Sequence, residues 1–304
     1  MLLRSAILYL SRQPTLRKWV ETSPSARRLS ARFVAGAALE DAIAVCLRIR
    51  SEGIPATLDY LGENVRSLDE AAGCRDMYLR MLAAMQRAGV EPNVSLKLTQ
   101  FGLDLSESAC EENVGALVQA AAGIGGFVRI DMESSEYTDR TLALVRRLHQ
   151  QYKSCGTVIQ AYLRRSAEDI QSLDNERIRV RLCKGAYLEK PPAAFAAKSE
   201  VDQNYCDLAK ILLTTGEYPA IATHDERIIN SLERFTSEKG IARDRFEFQM
   251  LYGIRRDLQK RLVQEGYRLR LYVPFGEAWY PYFMRRLAER PANLLFFLRQ
   301  AFRQ

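Results

Sequence analysis

The chain has 304 residues, of which 47% are hydrophobic and 27% charged, a composition typical of a packed globular protein of enzyme size. No run approaches the roughly 20 consecutive apolar residues that a membrane-spanning helix requires. The formal net charge of +7 favours anionic or phosphate-bearing ligands, but the basic residues are spread out and do not alternate with aromatic ones, so nucleic acid is disfavoured as a partner.

Residues 1–53 are predicted to form a helical arm. The opening segment MLLRSAILYLSRQP is basic and partly apolar, but it is too short and interrupted for a signal peptide. We expect its apolar face to pack on the protein, with peripheral contact at the inner face of the cell membrane as the alternative. The later segment LEDAIAVCLRIRSEG has apolar residues at helical spacing and ends at Gly53.

From residue 54 to residue 304 the chain repeats one pattern, a short β-branched run followed by a longer helical stretch. The runs begin at Pro55, Asn93, Gly126, Thr157, Ile178, Pro219, Arg245 and Tyr267. Eight strand-helix units in one undivided segment predict an α/β fold, a TIM-type (βα)8 barrel. In such a barrel the active site lies at the carboxyl ends of the strands.

Alternation within the strands predicts a polar barrel interior. In the second strand Val94, Leu96 and Leu98 share one face, whereas Ser95 and Lys97 share the other. The apolar face must meet the outer helices, so the polar face points inward. Across the strands this polar face comprises Asp59, Lys97, Arg129, Asp131, Gln160, Arg179, Arg181, His224, Glu247, Gln249, Arg270 and Tyr272.

Charged side chains inside a barrel are costly unless they are paired or bind a ligand. For the lower layer, Arg129, Arg179 and Arg270, we favour structural ion pairs with the interior carboxylates. At the carboxyl ends of the strands we favour a ligand site instead. The residues expected there are Lys97, Asp131, Arg181, His224 and Tyr272.

Two basic motifs suggest what such a ligand carries. In YPYFMRRLAE, helical neighbours point about 100° apart, so at least one of Arg285 and Arg286 faces the protein, either as an ion-pair anchor or as a carboxylate clamp. In RVRLCKGAY, Arg181 and Lys184 flank Gly185 at a strand end, which suits a phosphate or an electron-rich ring edge. These motifs predict a pocket for a small carboxylate and a phosphate-bearing cofactor.

Other chemistry is disfavoured by what the chain lacks. Its six cysteines have no CxxC spacing, which predicts reduced thiols and a cytoplasmic location. Its two histidines, His149 and His224, lie far apart, which disfavours a metal site and a Ser-His-Asp triad. Lys97 could form a Schiff base, but a carboxylate on the adjacent strand, Asp131, is expected to keep it charged.

The motifs taken together resemble the proline dehydrogenase family of FAD-dependent barrels. From about residue 33 onward they run, in order, LDYLGE, VSLKLTQFG, RIDMES, VIQAYLRR, RVRLCKGAY, IATHD, FQMLYG, LRLYVPFG and YFMRRLAE. The resemblance implies that FAD takes a hydride from C5 of L-proline at flavin N5. It also implies Δ1-pyrroline-5-carboxylate as product, a membrane quinone as electron acceptor, and a separate pyrroline-5-carboxylate dehydrogenase downstream on the route to glutamate.

The resemblance also assigns roles to residues. The implied catalytic set is Lys97, Asp131, Tyr272, Arg285 and Arg286, in which the lysine and the arginine pair clamp the proline carboxylate. The residues implied around the substrate ring are Leu182, Ala186, Tyr187, Tyr272 and Tyr282. Glu63 is implied as a gate paired with Arg285. The implied FAD contacts are Asp131, Gln160, Arg181, Lys184, Gly185, Thr223, His224 and Glu289.

Further expectations and two rivals remain. The resemblance implies, from the tyrosine at position 272, that proline is favoured over hydroxyproline as substrate, and the chain length resembles that of the short monofunctional bacterial members of the family. One rival is a flavin-free barrel lyase or aldolase that uses Lys97 as its amine. The other is a non-catalytic barrel that binds carboxylates.

Overall fold

A computed structural model describes residues 30–62, 65–187 and 189–289, with side chains up to residue 284. Residues 1–29 of the predicted arm therefore lie outside the described part. Helix α1, Leu39–Ser51, forms the end of that arm and buries Ala42, Cys46 and Ile49 against the rest of the molecule. Within the described residues, no helix is both long enough and apolar enough to cross a membrane.

Eight parallel strands close into a barrel in the order β1 to β8, and β8 pairs with β1. The strands are β1 Ala56–Tyr60, β2 Asn93–Leu96, β3 Phe127–Ile130, β4 Cys155–Gln160, β5 Arg179–Cys183, β6 Ala220–Ala222, β7 Glu247–Leu251 and β8 Leu269–Phe275. The predicted TIM-type barrel is thus confirmed.

Helices follow the strands and cover the outside of the barrel. They are α2 Leu68–Arg87, α3 Glu107–Gly123, α4 Thr138–Tyr152, α5 Ser166–Asn175, α6 Lys198–Thr215, α7 Glu226–Glu238, α8 Arg256–Gln264 and α9 Trp279–Glu289. Side chains fix several of the helix starts, because an oxygen at the N-cap satisfies a backbone N–H that has no partner within the helix. Ser67 caps α2 in this way, Ser106 caps α3 and Asp225 caps α7.

The main hydrophobic core lies between the sheet and the surrounding helices. Outward-facing strand residues such as Leu58, Val94 and Ile130 are wholly buried there, together with the apolar faces of the helices. The opposite faces of the strands carry Thr57, Ser95 and other polar side chains that are also buried. The alternation of apolar and polar residues therefore separates an apolar shell from a polar barrel interior, as predicted.

The lower layer differs in part from the prediction of ion pairs. Arg270 is paired as expected: its Nε donates to both oxygens of Glu247 and its Nη2 to both oxygens of Glu91. Arg129 and Arg179 have no carboxylate within ion-pair distance among the described residues. The physical reason is that Arg270 occupies both nearby carboxylates.

Candidate active site

A half-buried carboxylate lies at the centre of the polar cluster at the upper, carboxyl-terminal end of the barrel. Asp131 directly follows β3, and its Oδ1 accepts hydrogen bonds from Ser95 Oγ (2.8 Å) and Arg181 Nη1 (2.9 Å). Its Oδ2 accepts a longer hydrogen bond from the hydroxyl of Tyr272 (3.3 Å). Because these donors come from β2, β5 and β8, one carboxylate fixes three strand ends relative to one another.

Arg181 is held rigidly but is not satisfied. Only 4% of the residue is exposed, and its guanidinium carbon lies 5.5 Å from the ring centre of Tyr272. Its Nη1 donates to Asp131 and to Ser95 Oγ (3.0 Å), whereas its Nε and Nη2 are buried and find no acceptor among the described residues. Buried donors left without an acceptor are costly, so this arrangement suits a ligand that presents acceptor atoms.

Lys97 immediately follows β2, and its Nζ lies 3.8 Å from Oδ2 of Asp59 on β1. The expected partner was Asp131, whose oxygens instead accept hydrogen bonds from the cluster described above. The buried carboxylate of Asp59 favours the charged form of the lysine. A charged amine suits a carboxylate-binding role and is a poor nucleophile for Schiff-base formation.

Tyr272 is a hydrogen-bond donor at neutral pH. Burial raises its pKa well above the ordinary value of a tyrosine, and the nearby charges of Asp59 and Asp131 raise it further. Its hydroxyl therefore keeps its proton, while its ring faces Arg181. This geometry offers a flat aromatic surface beside a buried cation.

Tyr78, which sequence reasoning did not select, reaches the cluster from α2 outside the barrel. It is fully buried, and its hydroxyl donates to the carbonyl oxygen of Ser95 (2.8 Å) with Asp59 Oδ1 at 3.3 Å. The sequence placed Ser95 on the inner face but gave it no role. Strand alternation was the signal that could have identified Ser95 as a site residue. For Tyr78, helical spacing indicates only a place in the core.

The segment after β5 requires glycine at position 185. Gly185 has φ +119°, and a Cβ there would lie 2.2 Å from ring atom Cδ1 of Tyr162. The backbone of the segment is therefore packed directly against an aromatic ring. Ala186 N–H donates to Gln160 Oε1 (3.4 Å), and Gln160 Nε2 donates to the carbonyl oxygen of Glu133 (2.8 Å), which links the ends of β3 and β4 to this segment.

Lys184 is an internal anchor in this structure. Its Nζ donates to Asp202 Oδ1 on α6 (2.6 Å) and to Asp225 Oδ2 at the start of α7 (3.0 Å). Burial acts to lower the pKa of Lys184, but these hydrogen bonds and charges outweigh it and raise the pKa. The sequence did not reveal either carboxylate, since both come from distant helices. The predicted contact of Lys184 with a cofactor stays a prediction.

His224 and Thr223 follow β6, as the barrel prediction placed them. The backbone N–H of Leu251 donates to His224 Nε2 (2.9 Å), which assigns the proton of the neutral ring to Nδ1. Thr223 Oγ1 accepts from the backbone N–H of Asp225 (3.1 Å). Thr223 thus supports the turn from β6 into α7, and His224 ties that turn to the end of β7.

The remaining predicted substrate residues are only partly described. Leu182 is wholly buried and belongs to the main core, and its contact with a substrate stays a prediction. Tyr282 on α9 is 5% exposed, in a second cluster with Phe33 and Phe283. Outside the described residues or side chains lie Glu63, Arg285, Arg286 and Glu289. In the part of the chain with described side chains, no group of three His, Cys, Asp or Glu residues could hold a metal ion.

Comparison with known proteins places this geometry in a family. A family model described as proline dehydrogenase matches residues 42–299. The chain is 42% identical over 299 residues to proline dehydrogenase 1 of Bacillus subtilis subsp. natto, and 98% of each chain is covered. It is also 42% identical over 300 residues to proline dehydrogenase of Deinococcus radiodurans, covering 97% of this chain and 96% of that one.

A solved structure agrees with these sequence matches. The crystal structure of proline utilization A (PutA) from Bdellovibrio bacteriovorus, inactivated by N-propargylglycine, superposes with a TM-score of 0.80 at 28% identity. The match covers 86% of this chain but 32% of that one, so the chain spans about a third of the length of that larger protein. From the family model and the full-length relatives, the chain belongs to the proline dehydrogenase family.

Proposed function

We propose that the chain oxidises L-proline to Δ1-pyrroline-5-carboxylate with bound FAD. The observation that carries the proposal is Arg181, a buried cation with two unsatisfied donors beside Tyr272 and Asp131 at the upper end of the barrel. Family membership supports proline as the substrate. The reaction would be the first step of proline degradation to glutamate, with a separate pyrroline-5-carboxylate dehydrogenase consuming the product.

The residues present fit a flavin. FAD, when bound, would accept the hydride that leaves proline C5 and pass the electrons on to a membrane quinone. The free donors of Arg181 suit an electron-rich ring edge on which negative charge develops, because a cation held in place there stabilises that charge. The other residues assigned to the cofactor are Asp131, Gln160, Lys184, Gly185, Thr223, His224 and Glu289.

The substrate is held mainly through its carboxylate. Lys97, kept charged beside Asp59, would bind it together with Arg285 and Arg286. Tyr272 and four further residues would enclose the pyrrolidine ring and exclude water. Those four are Leu182, Ala186, Tyr187 and Tyr282. Glu63 would act as a gate that closes over the bound substrate. Clamping the ring in one orientation supplies positioning, which is a large part of the rate enhancement in such a reaction.

The roles of the chain's own groups are electrostatic. Asp131 orients Arg181 through the 2.9 Å hydrogen bond and keeps that cation from repelling the other basic groups. Tyr272 donates a hydrogen bond to Asp131 and would present its ring to the substrate. The lyase alternative would need an uncharged Lys97, which the buried carboxylate of Asp59 disfavours.

Turnover with a soluble quinone tests the proposal. We expect L-proline to reduce the quinone only when FAD is present, and a cyclic imine to be trapped in equal amount. Lys97→Met should raise the KM for proline, because losing a partner of a buried charged group costs about 2–5 kcal/mol. Lys260→Met, which removes an exposed lysine from α8, is the matched control and should behave as wild type. A wild-type protein loaded with FAD that leaves the quinone oxidised would contradict the proposal.

A further inference from the structure

A second polar cavity lies at the lower end of the barrel, opposite the proposed active site. Its volume is about 310 Å³, and its lining includes residues at the amino-terminal ends of the strands, such as Phe127 on β3 and Arg179 on β5. The charged residues that line it are Glu91, Arg129, Arg179, Glu247, Arg268 and Arg270. Four cations and two carboxylates leave this cavity with an excess of positive charge.

The two carboxylates do not neutralise the remaining arginines. Glu247 and Glu91 each accept two hydrogen bonds from Arg270, at 2.9 and 3.1 Å. Among the described residues, none of Arg129, Arg179 and Arg268 has a carboxylate within ion-pair distance. The excess charge is therefore concentrated on three guanidinium groups that line the same space.

Arg129 is the most deeply placed of these three. It is 4% exposed, and its Nη1 donates to the carbonyl oxygens of Arg179 (2.6 Å) and Thr157 (3.0 Å). Its buried Nε has no acceptor among the described residues. Burial lowers the pKa of this guanidinium to about 9, and the positive charge of Arg181 contributes. An anion in the cavity would favour the charged guanidinium and so oppose both the effect of burial and that of Arg181.

The position of Arg129 depends on the absence of a side chain at Gly156 in the neighbouring strand β4. A Cβ on Gly156 of β4 would lie 2.9 Å from Arg129 Nη1 and 2.3 Å from the carbonyl oxygen of Arg179. Only the missing side chain at this position lets the guanidinium cross the strand. The cation is thus held in one place and is not a mobile surface group.

Arg179 offers donors that solvent can reach. Its guanidinium carbon lies 5.3 Å from the ring centres of both Phe127 and Tyr218, and its guanidinium group donates no hydrogen bond to a described residue. Arg179 is partly exposed and Arg268 is exposed, so solvent can reach this end of the cavity. Aromatic rings hold the arginine in place while leaving its N–H groups for a ligand.

We propose that the lower cavity is a binding site for phosphate, as the free ion or as the phosphate group of a small molecule. Several guanidinium donors converge on it, and planar guanidinium groups suit tetrahedral oxyanions. The volume is at the lower end of the range for ligand pockets, and it fits a small hydrated oxyanion. The cavity lies at the opposite end of the barrel from the residues proposed to bind proline and FAD.

Thermal unfolding of the FAD-loaded protein in phosphate and in chloride, at matched pH and ionic strength, tests the site. At phosphate concentrations tenfold above Kd we expect the wild-type midpoint to rise by about 2–5 °C more than in chloride. Arg179→Met removes donors without breaking any hydrogen bond to a described residue, so it should fold and lose this extra rise. Isothermal titration should show phosphate binding weakened about tenfold or more.

Two control variants separate the lower cavity from other effects of phosphate. Arg234→Met removes an exposed arginine of α7 that does not line the cavity, and should respond to phosphate as wild type does. Lys97→Met removes a cation of the upper site and should also keep the response. An equal phosphate effect in wild type and Arg179→Met, or an effect lost only in Lys97→Met, would overturn the proposal.

Discussion

Replacing Gly185 with alanine should weaken cofactor binding while leaving the barrel folded. The backbone at Gly185 has φ +119°, which alanine rarely adopts, and the new Cβ would lie 2.2 Å from the ring of Tyr162. The segment must therefore move away from the ring. Because this segment joins β5, which carries Arg181, to the predicted cofactor contacts, its displacement should affect binding more than folding.

The magnitude follows from the strain that the substitution introduces. A residue forced into a sparsely populated backbone conformation costs about 1–3 kcal/mol. If the segment avoids that cost by leaving the conformation that binds FAD, the Kd for FAD should rise about 5-fold to 150-fold. The collision with Tyr162 favours the upper part of this range, since the ring is 9% exposed and packed by its neighbours.

Fluorescence titration of the apoprotein with FAD measures this effect directly. Gly123→Ala provides a matched control, because no atom lies within 4 Å of a Cβ built at Gly123 and its φ is not positive. The control should bind FAD as wild type does, with stability unchanged or raised by about 0.4–1 kcal/mol. Unchanged FAD affinity and an unchanged melting midpoint in Gly185→Ala would refute the argument from backbone geometry.

Three other predictions concern stability, pH and substrate affinity. Tyr78→Phe removes the hydroxyl that donates to a buried carbonyl oxygen of β2 and should cost about 1–3 kcal/mol by urea unfolding; an unchanged midpoint would count against this hydrogen bond. Burial acts to raise the pKa of Glu247, but Arg270 outweighs it and the pKa is lowered, so the stabilisation is present above the ordinary value of 4.5 and is lost as pH falls through the lowered pKa. Glu247→Gln should therefore be about 3 kcal/mol less stable than wild type at pH 7, and the gap should shrink in acid; a gap independent of pH would contradict this assignment. Arg285→Met and Arg286→Met should each weaken proline binding by about 2–5 kcal/mol in equilibrium titrations, and normal affinity in both would refute the clamp.

The sequence was sufficient for the barrel and for its polar interior. Strand alternation depends only on the side-chain period of two, so the sequence alone places Asp131, Arg181 and Tyr272 on one face. For Lys97 it predicted Asp131 as the partner, but strand order alone gives no reason to prefer Asp131 to Asp59, because β2 has neighbours on both sides. The structure selects Asp59 on β1, 3.8 Å away.

Contacts between elements that are distant along the chain could not be predicted from local sequence patterns. Nothing local indicates that Tyr78, on an outer helix, reaches the end of β2, or that Lys184 finds carboxylates on two other helices. In the lower layer, alternation identified the inward-facing arginines but not which of them are paired with a carboxylate. Arg270 pairs with both nearby carboxylates, those of Glu91 and Glu247, and only the distances in the folded structure reveal this.

The most direct test of the central claim is the visible spectrum of the purified protein during anaerobic titration with L-proline. We expect a yellow protein whose flavin bands bleach as proline is added, which would establish cofactor, substrate and direction of electron flow in one experiment. A protein that binds FAD but keeps the oxidised spectrum in excess proline would contradict the proposed substrate. A protein that binds no FAD would contradict the proposed cofactor role of Arg181 as well.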